Sequence, residues 1–304
     1  MAGEDRLILS RRTVVGVLGA SLVLPAFAKP RASATVALAA LEARSGGRLG
    51  VAILDTATGR IAGHRADERF GMCSTFKLPL TAVILHEIDA GRLHGDRWIP
   101  YSADDVIAHA SVTRANLAKG GMTLLALAEA AQTTSDGTAA NLLVRLLGGP
   151  TGFTAKLRAL GDPDSRLDRY EPEMNLVLPG EVQDTTTPRG MATGMRAYLL
   201  GGALKPASRD LLTGWMIDTK TGARRLRAGL PSKWRAGDKT GSSWNETAMV
   251  DKINDNAIFW PPGRAPVIVS AYLDGAKMSK DIRPEDQAIL AEVARIAARI
   301  AVAL

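Results

Sequence analysis

Apolar and polar positions along this chain change their period four times, and the changes divide it into five stretches. Apolar positions recur at helical spacing over 34–44, and the run stops at Gly46-Gly47. Residues 48–55 and 60–65 then alternate as a pair of strands around Thr56-Ala57-Thr58-Gly59. The middle of the chain returns to helical spacing over 78–89, 123–132, 139–147, 150–160, 188–200, 207–217 and 223–230. Pro79 stands one turn into the first of these, where it removes a backbone donor and predicts a locally tightened turn. Strand alternation comes back over 234–240, 247–260 and 266–273, with Pro261-Pro262-Gly263 turning the last two. A closing helix over 284–302 sets Ile289, Val293, Ile296 and Ile300 on one side.

This order predicts an α+β fold. Both ends of the chain build one antiparallel five-stranded sheet flanked by helices, and the helical middle forms a second, all-α lobe. The expected boundaries are 29–65 and 215–304 for the α/β lobe and 66–214 for the all-α lobe. Within the latter, 161–188 lacks sustained period and is rich in Asp, Pro and Arg. A loop so long inside a compact domain is normally functional.

The first 28 residues read as an export signal. Arg11-Arg12 precede the apolar run 14–24, and Pro25 leads into the small-x-small site Ala26-Phe27-Ala28. That run is shorter than the ~20 apolar residues of a membrane span, so a cleaved signal of twin-arginine type and a periplasmic or secreted protein are expected. The formal net charge of +7 is scattered among acids, without the basic clusters and interleaved aromatics of a nucleic-acid surface. With Cys73 the only cysteine, no internal disulfide forms. The four histidines, His64, His86, His94 and His109, show no metal-ligand spacing, and no cofactor is expected. A monomer acting on a small molecule fits these limits.

The chemistry is concentrated in four short motifs. Ser74-Thr75-Phe76-Lys77 places a hydroxyl and an amine at i and i+3, on one face of a helix start, where the amine can serve the hydroxyl as a base. Ser135-Asp136-Gly137, continued by Thr138-Ala139-Ala140-Asn141, stands at a junction of two helices. The long loop carries Arg169-Tyr170-Glu171-Pro172-Glu173-Met174-Asn175, and a late strand carries Asp238-Lys239-Thr240-Gly241.

Together and in this order, these motifs resemble those of the class A serine β-lactamases over nearly all of the mature length. Penicillin-binding enzymes share three of them but lack the loop glutamate, which makes Glu171 the discriminating residue. The resemblance implies an active site in the cleft between two lobes and a β-lactam substrate. Ser74 would be the nucleophile, with Lys77 and Glu171 both open as its base. Backbone N–H groups of Ser74 and Ser242 would form the oxyanion hole. Ser135 would hand a proton to the departing nitrogen, biased by Lys239. Lys239, Thr240, Gly241 and Ser242 would hold the substrate carboxylate, and Glu171 with Asn175 would activate the deacylating water. Asn141 would tie the glutamate loop to the helices, Arg169 and Asp184 would pair across its neck, and Glu171-Pro172 falls where the family has a cis peptide.

The sequence also departs from the pattern. Gly137 stands where an asparagine is usual, which predicts a roomier cleft. His109 falls about where an aromatic gatekeeper is usual, and Ser242-Ser243-Trp244-Asn245-Glu246-Thr247 is unlike the common members. No arginine follows on the next strand, so Arg225 is the candidate for the second cation at the carboxylate. Cys73 reads as a small buried residue beside the nucleophile.

Overall fold

The computed structural model describes residues 28–243, 251–275, 279 and 281–302. The expected export signal, apart from Ala28, lies outside the described residues, as do Trp244, Asn245, Glu246 and Thr247.

Helix α1 (Ala28–Ser45) ends at Gly46, whose φ of +67° gives the left-handed turn that glycine adopts without steric cost. The hairpin β1 (Arg48–Asp55) and β2 (Ile61–His64) follows. A two-residue strand β3 (Phe70–Gly71) leads through a 3-10 turn, Cys73–Phe76, into α2 (Lys77–Asp89). The tightened turn expected at Pro79 lies instead ahead of the helix, and Pro79 itself sits in the first turn of α2, where backbone donors lack helical partners anyway. Short strands β4 (Trp98–Pro100) and β5 (Gly121–Thr123) pair with each other around α3 (Ser111–Ala115). Then come α4 (Leu124–Thr133), α5 (Gly137–Leu146) and α6 (Gly149–Ala159). The 161–188 loop holds a 3-10 turn, Glu173–Asn175, and β6 (Thr185–Thr186), which pairs with β3. The chain closes with α7 (Pro188–Leu199), α8 (Pro206–Ile217), β7 (Arg235–Ser243), β8 (Lys252–Trp260), β9 (Val267–Asp274) and α9 (Pro284–Val302).

The two ends of the chain meet in a five-stranded sheet of order β2-β1-β9-β8-β7, antiparallel throughout. Strand β1 pairs along its whole length with β9, from Arg48 opposite Asp274 to Asp55 opposite Val267. Alternate residues of β1 enter different cores, as a period of two requires. Val51 and Ile53 join Leu38 and Leu41 of α1 and Leu290 and Val293 of α9. Ala52 and Leu54 face the helical side, with Leu80 and Val83 of α2, Leu143 of α5 and Met195 of α7. The sheet is therefore covered on both faces, and α2, apolar on all sides, is buried from Leu78 to Leu85. No helix among the described residues is long and apolar enough to cross a membrane.

One predicted helix does not form. Residues 223–230 reduce to a 3-10 turn, Leu226–Gly229, because Arg225 leaves helical backbone angles (φ −104°, ψ −126°). Its guanidinium is drawn into the sheet, and Gly229 lies so close to α9 that an added Cβ would meet the Ala291 carbonyl oxygen at 1.9 Å. Tertiary contact overrides local propensity there.

Candidate active site

Ser74 lies in the 3-10 turn directly before α2 and Lys77 in the first turn of that helix, so the i, i+3 spacing brings the two side chains together. Cys73, just ahead, has φ +45°, an uncommon conformation for a non-glycine residue and one that clusters at functional sites. Lys77, 1 % exposed, donates from Nζ to Ser74 Oγ at 2.9 Å and to the Ser135 carbonyl oxygen at 2.9 Å. The same Nζ is 2.8 Å from Glu171 Oε1.

Strand β7 approaches this turn backbone against backbone. A Cβ on Gly241 would meet the Met72 carbonyl oxygen at 2.8 Å and the Thr75 nitrogen at 3.0 Å, so only glycine fits. The Asp238 carbonyl oxygen is gripped by Thr219 Oγ1 at 2.7 Å and Gln132 Nε2 at 3.3 Å, which fixes the next residue, Lys239. Lys239 is fully buried and donates to Ser135 Oγ at 3.1 Å and to the Thr240 carbonyl oxygen at 2.9 Å. Lys77 Nζ reaches the same Ser135 Oγ at 3.3 Å, so one hydroxyl stands between two amines. Burial and the neighbouring Lys77 charge bring Lys239 well below the usual lysine range.

Glu171 comes from the 161–188 loop. Its backbone N–H donates to Asn141 Oδ1 at 3.0 Å, and its carbonyl accepts from Asn141 Nδ2 at 2.8 Å. This two-point clamp turns the carboxyl inward, where Oε1 accepts from Ser74 Oγ at 3.2 Å and Oε2 from Asn175 Nδ2 at 2.6 Å. Burial raises the affinity of this carboxyl for a proton. The Lys77 charge and the hydrogen bonds from Lys77, Asn175 and Ser74 outweigh that, so its pKa stays below the ordinary glutamate range. At the neck of the loop Arg169 Nε is 2.5 Å from Asp184 Oδ2, and Asp184 Oδ1 accepts the backbone N–H groups of Asp168 and Arg169 at 2.7 and 3.0 Å. The Glu171-Pro172 peptide is cis.

Arg225 is 2 % exposed and lines the cleft beneath β7. It donates to the carbonyl oxygens of Gly241 at 2.8 Å and Asn254 at 2.6 Å and to Ser242 Oγ at 2.5 Å. These hydrogen-bond partners are neutral, with the buried Asp255 and Asp238 carboxyls also acting on its charge. Ser74, Lys77, Ser135, Glu171, Asn175, Thr240, Ser242 and Arg225 thus line one cleft of about 550 Å³.

Sequence reasoning passed over three supports of this cleft. Asp136 accepts the backbone N–H groups of Val112, Thr113 and Ala139, each at 2.9 Å, and so caps α3 and α5 at once. An Asp immediately before a helical run was the readable signal. Asn254 Nδ2 holds the carbonyl oxygens of Gly71 and Met72, at 2.9 and 3.1 Å, behind the turn that bears Ser74. Thr221 Oγ1 lies 2.6 Å from Thr240 Oγ1. Neither signalled itself, because both act across distant elements.

The expected extra room at Gly137 is absent. Its Cβ direction is filled by Ile107 Cδ1 at 2.7 Å, and its N–H is tied to the His109 carbonyl oxygen at 2.6 Å. His109 is exposed on the cleft wall. Cys73 is buried, and burial pushes its thiol up to about 11, the behaviour of an inert structural cysteine.

A family model described as the β-lactamase enzyme family matches residues 33–301. The chain is 45% identical over 276 residues to the β-lactamase AST-1 of Nocardia asteroides, a match covering 91% of this chain and 84% of that protein. It is 44% identical over 310 residues to the β-lactamase L2 of Stenotrophomonas maltophilia, covering 96% and 99%. Among solved structures it is similar to an ancestral class A β-lactamase, with a TM-score of 0.82 at 50% identity, covering 88% of this chain and 99% of that one. With this agreement added to the fold and the cleft, the chain belongs to the β-lactamase enzyme family, in its class A group.

Proposed function

We propose that the chain hydrolyses the amide of β-lactam antibiotics through an ester on Ser74, and that it thereby protects its host against them. The observation that carries this reading is the Glu171 carboxyl 3.2 Å from the Ser74 hydroxyl, with Lys77 and Asn175 beside it to favour its charged form. An acylating enzyme without a base there would stall at the ester.

Ser74 Oγ attacks the lactam carbonyl as its proton leaves. Of the two acceptors the sequence leaves open, Glu171 Oε1 is the one to which the hydroxyl donates in the free enzyme. Lys77 bridges the hydroxyl and the carboxylate and so holds both in line. Backbone N–H groups of Ser74 and Ser242 receive the developing oxyanion, an interaction typically worth about 2.7–4 kcal/mol per donor. As the carbon–nitrogen bond breaks, the nitrogen takes the Ser135 proton, Lys77 replaces it, and the proton that Glu171 took from Ser74 passes to Lys77 across their contact, which restores the carboxylate. Glu171, aligned by Asn175, then removes a proton from water. The hydroxide attacks the ester, and Ser74 leaves with the proton that Glu171 took from the water. Lys239, Thr240, Gly241 and Ser242 on one strand edge, with Arg225 beneath it, receive the substrate carboxylate as charged and neutral donors.

The reading extends to the whole protein. The export signal directs a monomer to the periplasm or the medium by the twin-arginine route. The cleft lies where the α/β lobe, 29–65 and 215–304, meets the all-α lobe, 66–214, whose Ω-shaped loop spans 161–188.

Purified protein is expected to open the ring of benzylpenicillin catalytically, and Ser74→Ala to lose that turnover while keeping the wild-type circular dichroism spectrum. Binding of benzylpenicillin without ring opening by the wild type would remove the reading.

A further inference from the structure

One cleft-lining cation has no role in the proposed hydrolysis. Arg114, on α3, is exposed in the same cleft as Ser135 and Thr221. Its Nη2 donates to the Ile107 carbonyl oxygen at 2.8 Å, and among the described residues no carboxylate stands within ion-pair distance of it.

Its mounting is rigid. The start of α3 is fastened to Asp136, the Gly137 N–H to the His109 carbonyl, and the Ile107 N–H to Thr138 Oγ1 at 3.0 Å. The wall that carries Arg114 and the turn that carries Ser135 are therefore one hydrogen-bonded piece, and the guanidinium is tied to that wall through the Ile107 carbonyl oxygen.

The chemistry of the substrate says what meets it there. Ser135 faces the lactam nitrogen, which belongs to the fused second ring. The ring carboxylate is drawn to Lys239 and Ser242 on β7. A substituent on the neighbouring ring carbon then projects along the Ser135 wall, toward α3. The carbon bearing the amide side chain is diagonal to the nitrogen in the four-membered ring, so that side chain leaves on the side of Glu171 and Asn175.

We infer that Arg114 is a specificity-determining residue that favours β-lactams carrying a second anionic group on the fused ring. The inference rests on the proposed hydrolysis.

The test is a pair of cephalosporins with the same C7 side chain, one with a carboxylate in its C3 substituent and one with a methyl group there. The ratio of their kcat/KM values is measured for the wild type, Arg114→Ala and Arg114→Lys. An exposed charge pair supports an effect of about two- to fivefold. The wild type is expected to favour the anionic member, Arg114→Ala to lose that factor, and Arg114→Lys to keep most of it. Added salt should shrink the wild-type preference. The same ratio in wild type and Arg114→Ala would overturn the inference, as would a change that instead tracks a carboxylate on the C7 side chain. A wild type that opens neither ring strikes the underlying hydrolysis, a different result from an unchanged ratio.

Discussion

Lys77 Nζ lies 2.8 Å from Glu171 Oε1, and both are buried at the foot of the cleft, so the ion pair sets the protonation of the carboxyl we propose as the base. Burial alone would raise the Glu171 pKa, and the ammonium reverses the sign. An ionised base is present above its pKa and lost as pH falls through it. The acid limb of kcat/KM should therefore lie below the ordinary glutamate value of 4.5. In Lys77→Met the desolvation is unopposed by that charge, and the limb should move up in pH while the rate falls. A kcat/KM profile from pH 3 to 8 checks the direction, and a limb that stays in place would separate Lys77 from the control of Glu171.

Lys239 gives a second titration of opposite sense. Its ammonium is disfavoured first by burial and then by Lys77, so in the free cleft it loses its proton well below the ordinary lysine value of 10.5. Receiving a substrate carboxylate requires the charged form, which is present below this pKa and lost as pH rises through it. KM for a penicillin should climb on the alkaline side below the ordinary lysine range, and Lys239→Arg, charged throughout that range, should flatten the climb. A pH-independent KM in the wild type would argue that the carboxylate is held without Lys239.

Arg225 is expected to act on KM more than on kcat. Its guanidinium bonds the Gly241 and Asn254 carbonyl oxygens and Ser242 Oγ, so Arg225→Ala removes a charge from the carboxylate subsite and also leaves buried acceptors unpaired. Each such acceptor costs about 1–3 kcal/mol, and a lower melting temperature should accompany the higher KM for penicillins. Arg225→Lys should recover part of both. An unchanged KM would take Arg225 out of the subsite and leave it a structural role.

Much of this architecture was legible because local pattern and tertiary role coincide. The alternation over 48–55 survives as β1, since its two faces enter two different cores. Ser74 and Lys77 could be paired from spacing alone, since one helical turn brings them together. Where the structure differs, a distant contact decides. Arg225 breaks an expected helix because the carbonyl oxygens it binds lie on β7 and β8, and Ile107 fills the space that Gly137 seemed to open. Strands as short as Phe70–Gly71 and Thr185–Thr186 carry no period, and each exists only because the other lies beside it.

The account depends most on Glu171 as the base that frees the acylated serine, and mass spectrometry of Glu171→Ala mixed with benzylpenicillin tests it most directly. A stable adduct of one penicillin per chain, mapped to Ser74, is expected, with turnover lower than wild type by a factor of about 10²–10⁴. Turnover at the wild-type rate with no adduct on Ser74 would contradict it.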